Sequence, residues 1–70
     1  MSQYEMIEKY IDEFGSISPM EAFMDLGITK LSTRISEMIR HQGKRFRKER
    51  ECRKNRYGKP CYFTRYSREM

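Results

Sequence analysis

Ser18-Pro-Met-Glu-Ala-Phe-Met-Asp-Leu-Gly-Ile-Thr-Lys-Leu-Ser-Thr-Arg-Ile-Ser-Glu-Met-Ile-Arg-His-Gln-Gly43 reads as two short helices around a tight turn. Ser18 can cap the first helix, and Pro19 suits its first position, where a missing amide donor costs nothing. Gly27 stands where a helix ends and a left-handed residue is wanted. Thr29 can cap the second helix and Gly43 can end it. The spacing predicts helices over about Pro19–Leu26 and Lys30–Gln42. Two such helices on a three- or four-residue turn containing Gly are the sequence form of a helix-turn-helix.

Upstream, Met6, Ile7, Tyr10, Ile11 and Phe14 fall on one helical face, with Glu5, Glu8, Lys9, Asp12 and Glu13 on the other. This predicts a helix from about Gln3 to Phe14, stopped by Gly15, whose role is scaffold. Ile17 can staple the next helix, where Met20, Phe23 and Leu26 make the expected stripe and Ala22 permits close approach. In the third helix Leu31, Ile35, Met38 and Ile39 form the buried stripe. Thr29, Lys30, Thr33, Ser36, Glu37 and Arg40 project outward, with Ser32, Arg34 and His41 on the flanks.

Beyond Gly43 the helical pattern fails. Phe46 stands alone in a charged run, and Asn55-Arg-Tyr-Gly58 has the composition of a four-residue hairpin loop. Pro60 to Tyr66 then reads as a returning strand rich in aromatics and β-formers. A loop over 55–58 sets Lys54 opposite Lys59 and Cys52 opposite Cys61, so a cross-strand disulfide is within geometric reach. Phe63 or Tyr62 is expected to pack beneath the hairpin with Phe46. The predicted fold is α+β, mainly α: three helices followed by a two-stranded antiparallel wing, one domain over 1–66 with a frayed tail at 67–70.

Seventy residues bury only about 60% of their unfolded surface, so each apolar stripe is needed for the core. The six methionines read as gap-fillers in that core. Charge is unevenly placed along the chain. Residues 1–29 carry Lys9 against six acids, a net of −5, whereas residues 30–70 carry fourteen bases against Glu37, Glu49, Glu51 and Glu69, a net of +10. Such asymmetry points to nucleic-acid or acidic-surface binding by the C-terminal half. There is no apolar stretch of membrane-spanning length and no signal-peptide pattern at the start. A cytoplasmic location in a bacterial host, with both cysteines reduced, is the expectation.

The runs Tyr10-Ile-Asp-Glu-Phe-Gly-Ser-Ile-Ser-Pro-Met-Glu-Ala-Phe-Met-Asp-Leu-Gly-Ile-Thr-Lys-Leu-Ser-Thr-Arg-Ile35, Lys54-Asn-Arg-Tyr-Gly-Lys59 and Thr64-Arg-Tyr-Ser67 cover most of the chain. In them the sequence resembles the small winged helix-turn-helix proteins of phages, prophages and mobile elements. The segment Lys44 to Lys54 departs from that pattern in being more basic. The resemblance implies a DNA-binding fold and a mobile-element setting, without naming an operator or separating a transcriptional regulator from an excisionase-like accessory factor.

Double-stranded DNA is thus the expected partner, with the third helix in the major groove. Lys30, Ser32, Thr33 and Arg34 are the candidates for reading base edges. Thr29, Arg40, Lys44, Arg47, Arg50, Arg53, Lys54, Arg56 and Lys59 are the candidates for phosphate or minor-groove contact, with Lys48 in the same wing. A solvated polar helix face and a charged edge strand that resists aggregation are the plainer readings of the same residues. Cys52, Cys61 and His41 lack the spacing of a zinc site, and one His with solvent-facing carboxylates supports no catalysis. No metal, cofactor or small-molecule substrate is expected, and the chain does not read as an enzyme. With no spare helix or heptad for a dimer interface, a monomer or a DNA-assembled oligomer is expected. The competing reading is a protein-interaction module that binds or inhibits a host nucleic-acid enzyme, using acidic Glu5, Glu8, Asp12 and Glu13 or the basic wing.

Overall fold

The structure, a computed structural model, describes residues 1–69. Helix α1 (Gln3–Phe14) leads into a two-residue strand β1 (Ser16–Ile17), then α2 (Pro19–Leu26) and α3 (Leu31–Gln42). A long hairpin of β2 (Phe46–Lys54) and β3 (Pro60–Arg68) completes the chain. The three strands form one antiparallel sheet in the order β1-β3-β2.

Local chemistry accounts for most boundaries. Ser2 Oγ accepts from the Glu5 amide to cap α1. At α2 the capping box is complete: Ser18 Oγ accepts from the Glu21 amide at 3.2 Å, and the Ser18 amide donates to Glu21 Oε1 at 2.9 Å. Gly27, at φ +69°, closes α2 in the left-handed region that a side chain would strain. The Ile28 amide then donates back to the Ala22 carbonyl at 3.0 Å. That bond turns the chain sharply enough to bury Ile28 in the core, although it belongs to the turn. Lys30, not Thr29, is the N-cap of α3, and no side chain caps it. Its orphan amides therefore stay open at the surface.

The core comprises Ile7, Tyr10, Ile11, Ile17, Ala22, Ile28, Leu31, Ile35, Met38 and Tyr66, with Tyr4, Leu26 and Phe46 packed against it. Several stripe residues expected inside lie outside. Met20, Phe23 and Phe14 are exposed, and Ile39 is partly so, at 38%. The reason is economy: α2 has two turns, and Ala22 with Leu26 already spans the contact that so short a helix can make. Beneath the hairpin the buried aromatic is Tyr66, 6% exposed, whereas Tyr62 is 60% exposed and Phe63 half-buried.

The hairpin register also differs from the expected one. Lys54 pairs with Pro60, Arg53 with Cys61 and Cys52 with Tyr62, so the loop has five residues, 55–59, rather than four. Asn55 builds it: its Oδ1 accepts from the amides of Tyr57 and Lys59, and its own amide donates to the Lys59 carbonyl. Cys52 and Cys61 are exposed free thiols, and the one-residue shift sends them to opposite faces. Ser67 and Arg68 belong to β3 rather than to a tail, because Ser16 and Ile17 pair with Ser67 and Tyr66. Of the expected tail, Met70 lies outside the described residues.

Tyr10 ties α1 to α2, its hydroxyl donating to Asp25 Oδ2 at 2.6 Å. The Asp25 bond first and burial second push the phenol up to about 12. A raised pKa favours the protonated phenol in the fold, so this stabilisation is complete below pH 10 and fades as pH rises through 12. Tyr10→Phe is expected to flatten the alkaline loss of stability between those values, read as denaturant midpoint against pH. Met38→Ala, at a fully buried site, should cost about 2–5 kcal/mol, and Met24→Ala, at an exposed one, no more than about 0.5 kcal/mol; chemical denaturation distinguishes the two.

Candidate nucleic-acid interface

The α3 surface begins at its uncapped end. Lys30, Ser32, Thr33 and Ser36 are exposed on the first turns, with Thr29 exposed in the turn before them. Arg40 is exposed near the far end. Short polar side chains around a free helix N-terminus leave room for close approach of another surface. Arg34 is placed differently. Half-buried, it donates to Glu37 one turn on, and Glu37 also accepts from the Tyr4 hydroxyl of α1 at 2.7 Å. The hydrogen bond from Tyr4 first, and then the charge and hydrogen bond of Arg34, hold the Glu37 carboxyl below the usual carboxylate range against the opposing effect of burial.

In the hairpin, the pairing puts directly opposed residues on one face and alternates faces along each strand. Phe46, Lys48, Arg50, Cys52 and Lys54 share a face with Pro60, Tyr62, Thr64, Tyr66 and Arg68. Arg47, Glu49, Glu51 and Arg53 share the other with Cys61, Phe63, Arg65 and Ser67. Every acid of the two strands therefore falls on the second face, and both are neutralised there. Arg47 pairs with Glu49 at 3.0 Å. Arg65 donates to Glu51, to Glu21 at 2.8 Å and to Ser16 Oγ at 3.1 Å, which knits β3 to β2, α2 and β1.

The first face carries no acid. Its base, Phe46 and Tyr66, covers the helical core; its outer part presents Lys48, Arg50 and Lys54, for which no ion pair exists among the described residues. Arg50 lies over the Tyr62 ring at 5.1 Å, which steadies the guanidinium without consuming its charge. At the tip, Arg56 and Lys59 are exposed on the loop that Asn55 holds.

The candidates read from sequence thus divide. Lys30, Ser32, Thr33, Thr29 and Arg40 stand on the α3 surface, and Arg50, Lys54, Arg56 and Lys59 on the acid-free face and tip of the hairpin. Lys44 is drawn to Glu8 of α1 at 2.8 Å, and Arg47 to Glu49. Arg53 is on the opposite face, over Phe63 at 6.0 Å. Arg65 escaped the sequence reading as the junction of the sheet; only the register shows that it meets two acids from different elements. No group of three or more His, Cys, Asp or Glu able to hold a metal occurs among the described residues.

Two antiparallel strands projecting beside a helix-turn-helix, with β1 closing the sheet, are the parts of a winged helix. The family model described as a winged helix-turn-helix domain matches residues 2–67. The chain belongs to the winged helix-turn-helix domain family. No curated protein and no solved structure matches it. The winged helix-turn-helix fold is a DNA-binding one; in this chain α2 and α3 form the helix-turn-helix and the β2–β3 hairpin the wing.

Tyr4→Phe leaves the Glu37 carboxylate without its α1 donor. Raised toward its ordinary value, it should protonate at a higher pH, and a Glu37-reporting NMR titration should show the move. An unchanged titration would mean that Arg34 alone sets it.

Proposed function

We propose that this winged helix-turn-helix domain binds double-stranded DNA with the start of α3 in the major groove and the acid-free face of the wing on the backbone. Lys30, Ser32 and Thr33 meet base edges; Thr29 and Arg40 reach flanking phosphates; Arg50, Lys54 and Lys48 line the backbone, with Arg56 and Lys59 at the tip near the minor groove. The observation that carries this reading is the sorting of charge in the hairpin, which leaves Lys48, Arg50 and Lys54 on one face free of acids. Arg34 reaches a base only by leaving Glu37, so its part in readout is conditional on that exchange. Lys44, Arg47 and Arg53 serve the fold of the wing more than the contact.

In the setting suggested by the resemblance of the chain, that of a phage, prophage or mobile element, such a domain works in the cytoplasm as a transcriptional regulator or an excisionase-like accessory factor. The competing reading, capture of a host enzyme through the acids of α1, loses two of its contacts within the domain. Glu8 is paired with Lys44 at 2.8 Å and Asp12 with Arg68 at 2.6 Å.

Binding to a random-sequence duplex across a salt series tests the proposal. Each phosphate contact removed should lower the slope of log K against log salt by about 1, so Arg50→Ala and Lys54→Ala should each do so and Arg47→Ala should not. Thr33→Ala should weaken base preference in a site selection while leaving the salt slope unchanged. Absence of binding at about 50 mM salt would sink the proposal.

A further inference from the structure

One acid stands among the outward residues of α3. Glu37 follows Lys30 by seven residues and Thr33 by four, and precedes Arg40 by three, so these side chains share one helical strip. No other acid occurs on that helix, and the Glu37 side chain is 29% exposed. A carboxylate on a surface that meets phosphates costs affinity through like-charge repulsion unless it finds a donor there.

Its neighbours hold it without exhausting it. The Tyr4 hydroxyl donates to Oε1 at 2.7 Å, and Arg34, one turn earlier, donates to the same oxygen. No other residue bonds the carboxylate among the described residues. An ionised carboxylate offers about four acceptor positions on its two oxygens, so room for a further donor remains. Tyr4 packs against the helical core, which anchors the carboxylate to a rigid part of the fold. Arg34 offsets its charge and so lessens the repulsion from phosphates. With its pKa held below the usual range, the group is ionised at neutral pH and can only accept.

The bases offer few donors to such a group. In the major groove only the N4 amine of cytosine and the N6 amine of adenine donate. The adenine amine stands between two acceptors, its own N7 and the O4 of the paired thymine, and both repel a carboxylate. The cytosine amine has an acceptor on one side only, the O6 of the paired guanine. An acceptor without a donor of its own therefore selects cytosine.

We propose that Glu37 is a base-reading residue of α3 that accepts from the N4 amine of a cytosine in the major groove, with Tyr4 and Arg34 as the residues that position it. The proposal rests on the DNA-binding reading above and adds to it one base of the preferred site. Arg34 stays on Oε1 in this arrangement and acts through Glu37.

Site selection from a randomised duplex library, with the full wild-type chain, should return a position fixed as cytosine. Replacing that pair by each of the other base pairs should weaken wild-type binding by about tenfold. Glu37→Gln keeps an oxygen for the Tyr4 hydroxyl and adds an amide donor, so it should move the preference at that position from cytosine to adenine. Its affinity for random-sequence duplex should stay within about twofold or rise, because a negative charge is removed. Tyr4→Phe should narrow the cytosine preference to about threefold, the loss of one hydrogen bond, without changing the preferred base. A Glu37 that only braced α1 against α3 would change stability and leave the preferred base alone. A wild-type site with no fixed cytosine, or a cytosine preference that Glu37→Gln leaves unchanged, would overturn Glu37 as a reader while duplex binding stands. If the wild type binds no duplex at about 50 mM salt, the DNA-binding reading itself fails and this proposal with it.

Discussion

Two backbone pairings, Ser16 with Ser67 and Ile17 with Tyr66, hold the rest of the molecule in place. Through them the two-residue β1 clamps the last strand to the helical core, where Ile17 is fully buried and Tyr66 nearly so. Once Tyr66 points inward, strand alternation leaves no choice for the remaining seventeen residues of the hairpin strands. Each is assigned to the core-side face or to its opposite. A slip of one residue would send Tyr66 to solvent and turn Glu49 and Glu51 to the core side in place of Lys48, Arg50 and Lys54.

That constraint converts a sequence of mixed charge into two surfaces of different character. Along β2 the bases and acids alternate almost at random in one dimension, but the pleat separates them. The acids on the far face meet Arg47 and Arg65, and Arg65 carries the connection on to Glu21 and Ser16. The core-side face keeps its outer cations unpaired. Structural ion pairing and availability for phosphate are thus divided between the two faces of one ribbon.

The helices show a similar division. The turn at Gly27 buries Ile28, and that side chain fixes where α3 begins relative to α2. Within α3, Arg34 and Glu37 face Tyr4 of α1 and are used to brace the helix, while Lys30, Ser32 and Thr33 remain open. Because α2 is short, its inner contact is met by Ala22 and Leu26, and its large side chains are left on the outside. The smallness of the domain therefore both limits its core and exposes an apolar strip.

The sequence by itself determined what rests on local chemistry. Ser18-Pro19 and the glycines at 15, 27 and 43 set the helix ends, periodicity set the α1 and α3 stripes apart from Phe14 and Ile39, and the resemblance named the winged family. These were legible because caps and amphipathic stripes depend on neighbours within a turn or two. Only the tertiary structure decided the third strand, the five-residue loop, the burial of Tyr66 in place of Tyr62 or Phe63, and the capture of Lys44 by Glu8. It also showed that Cys52 and Cys61 stand on opposite faces, and that Arg34 is spoken for by Glu37. Each of these turns on residues far apart in the chain or on a register that a shift of one position reverses, and neither quantity is written in the residues nearby.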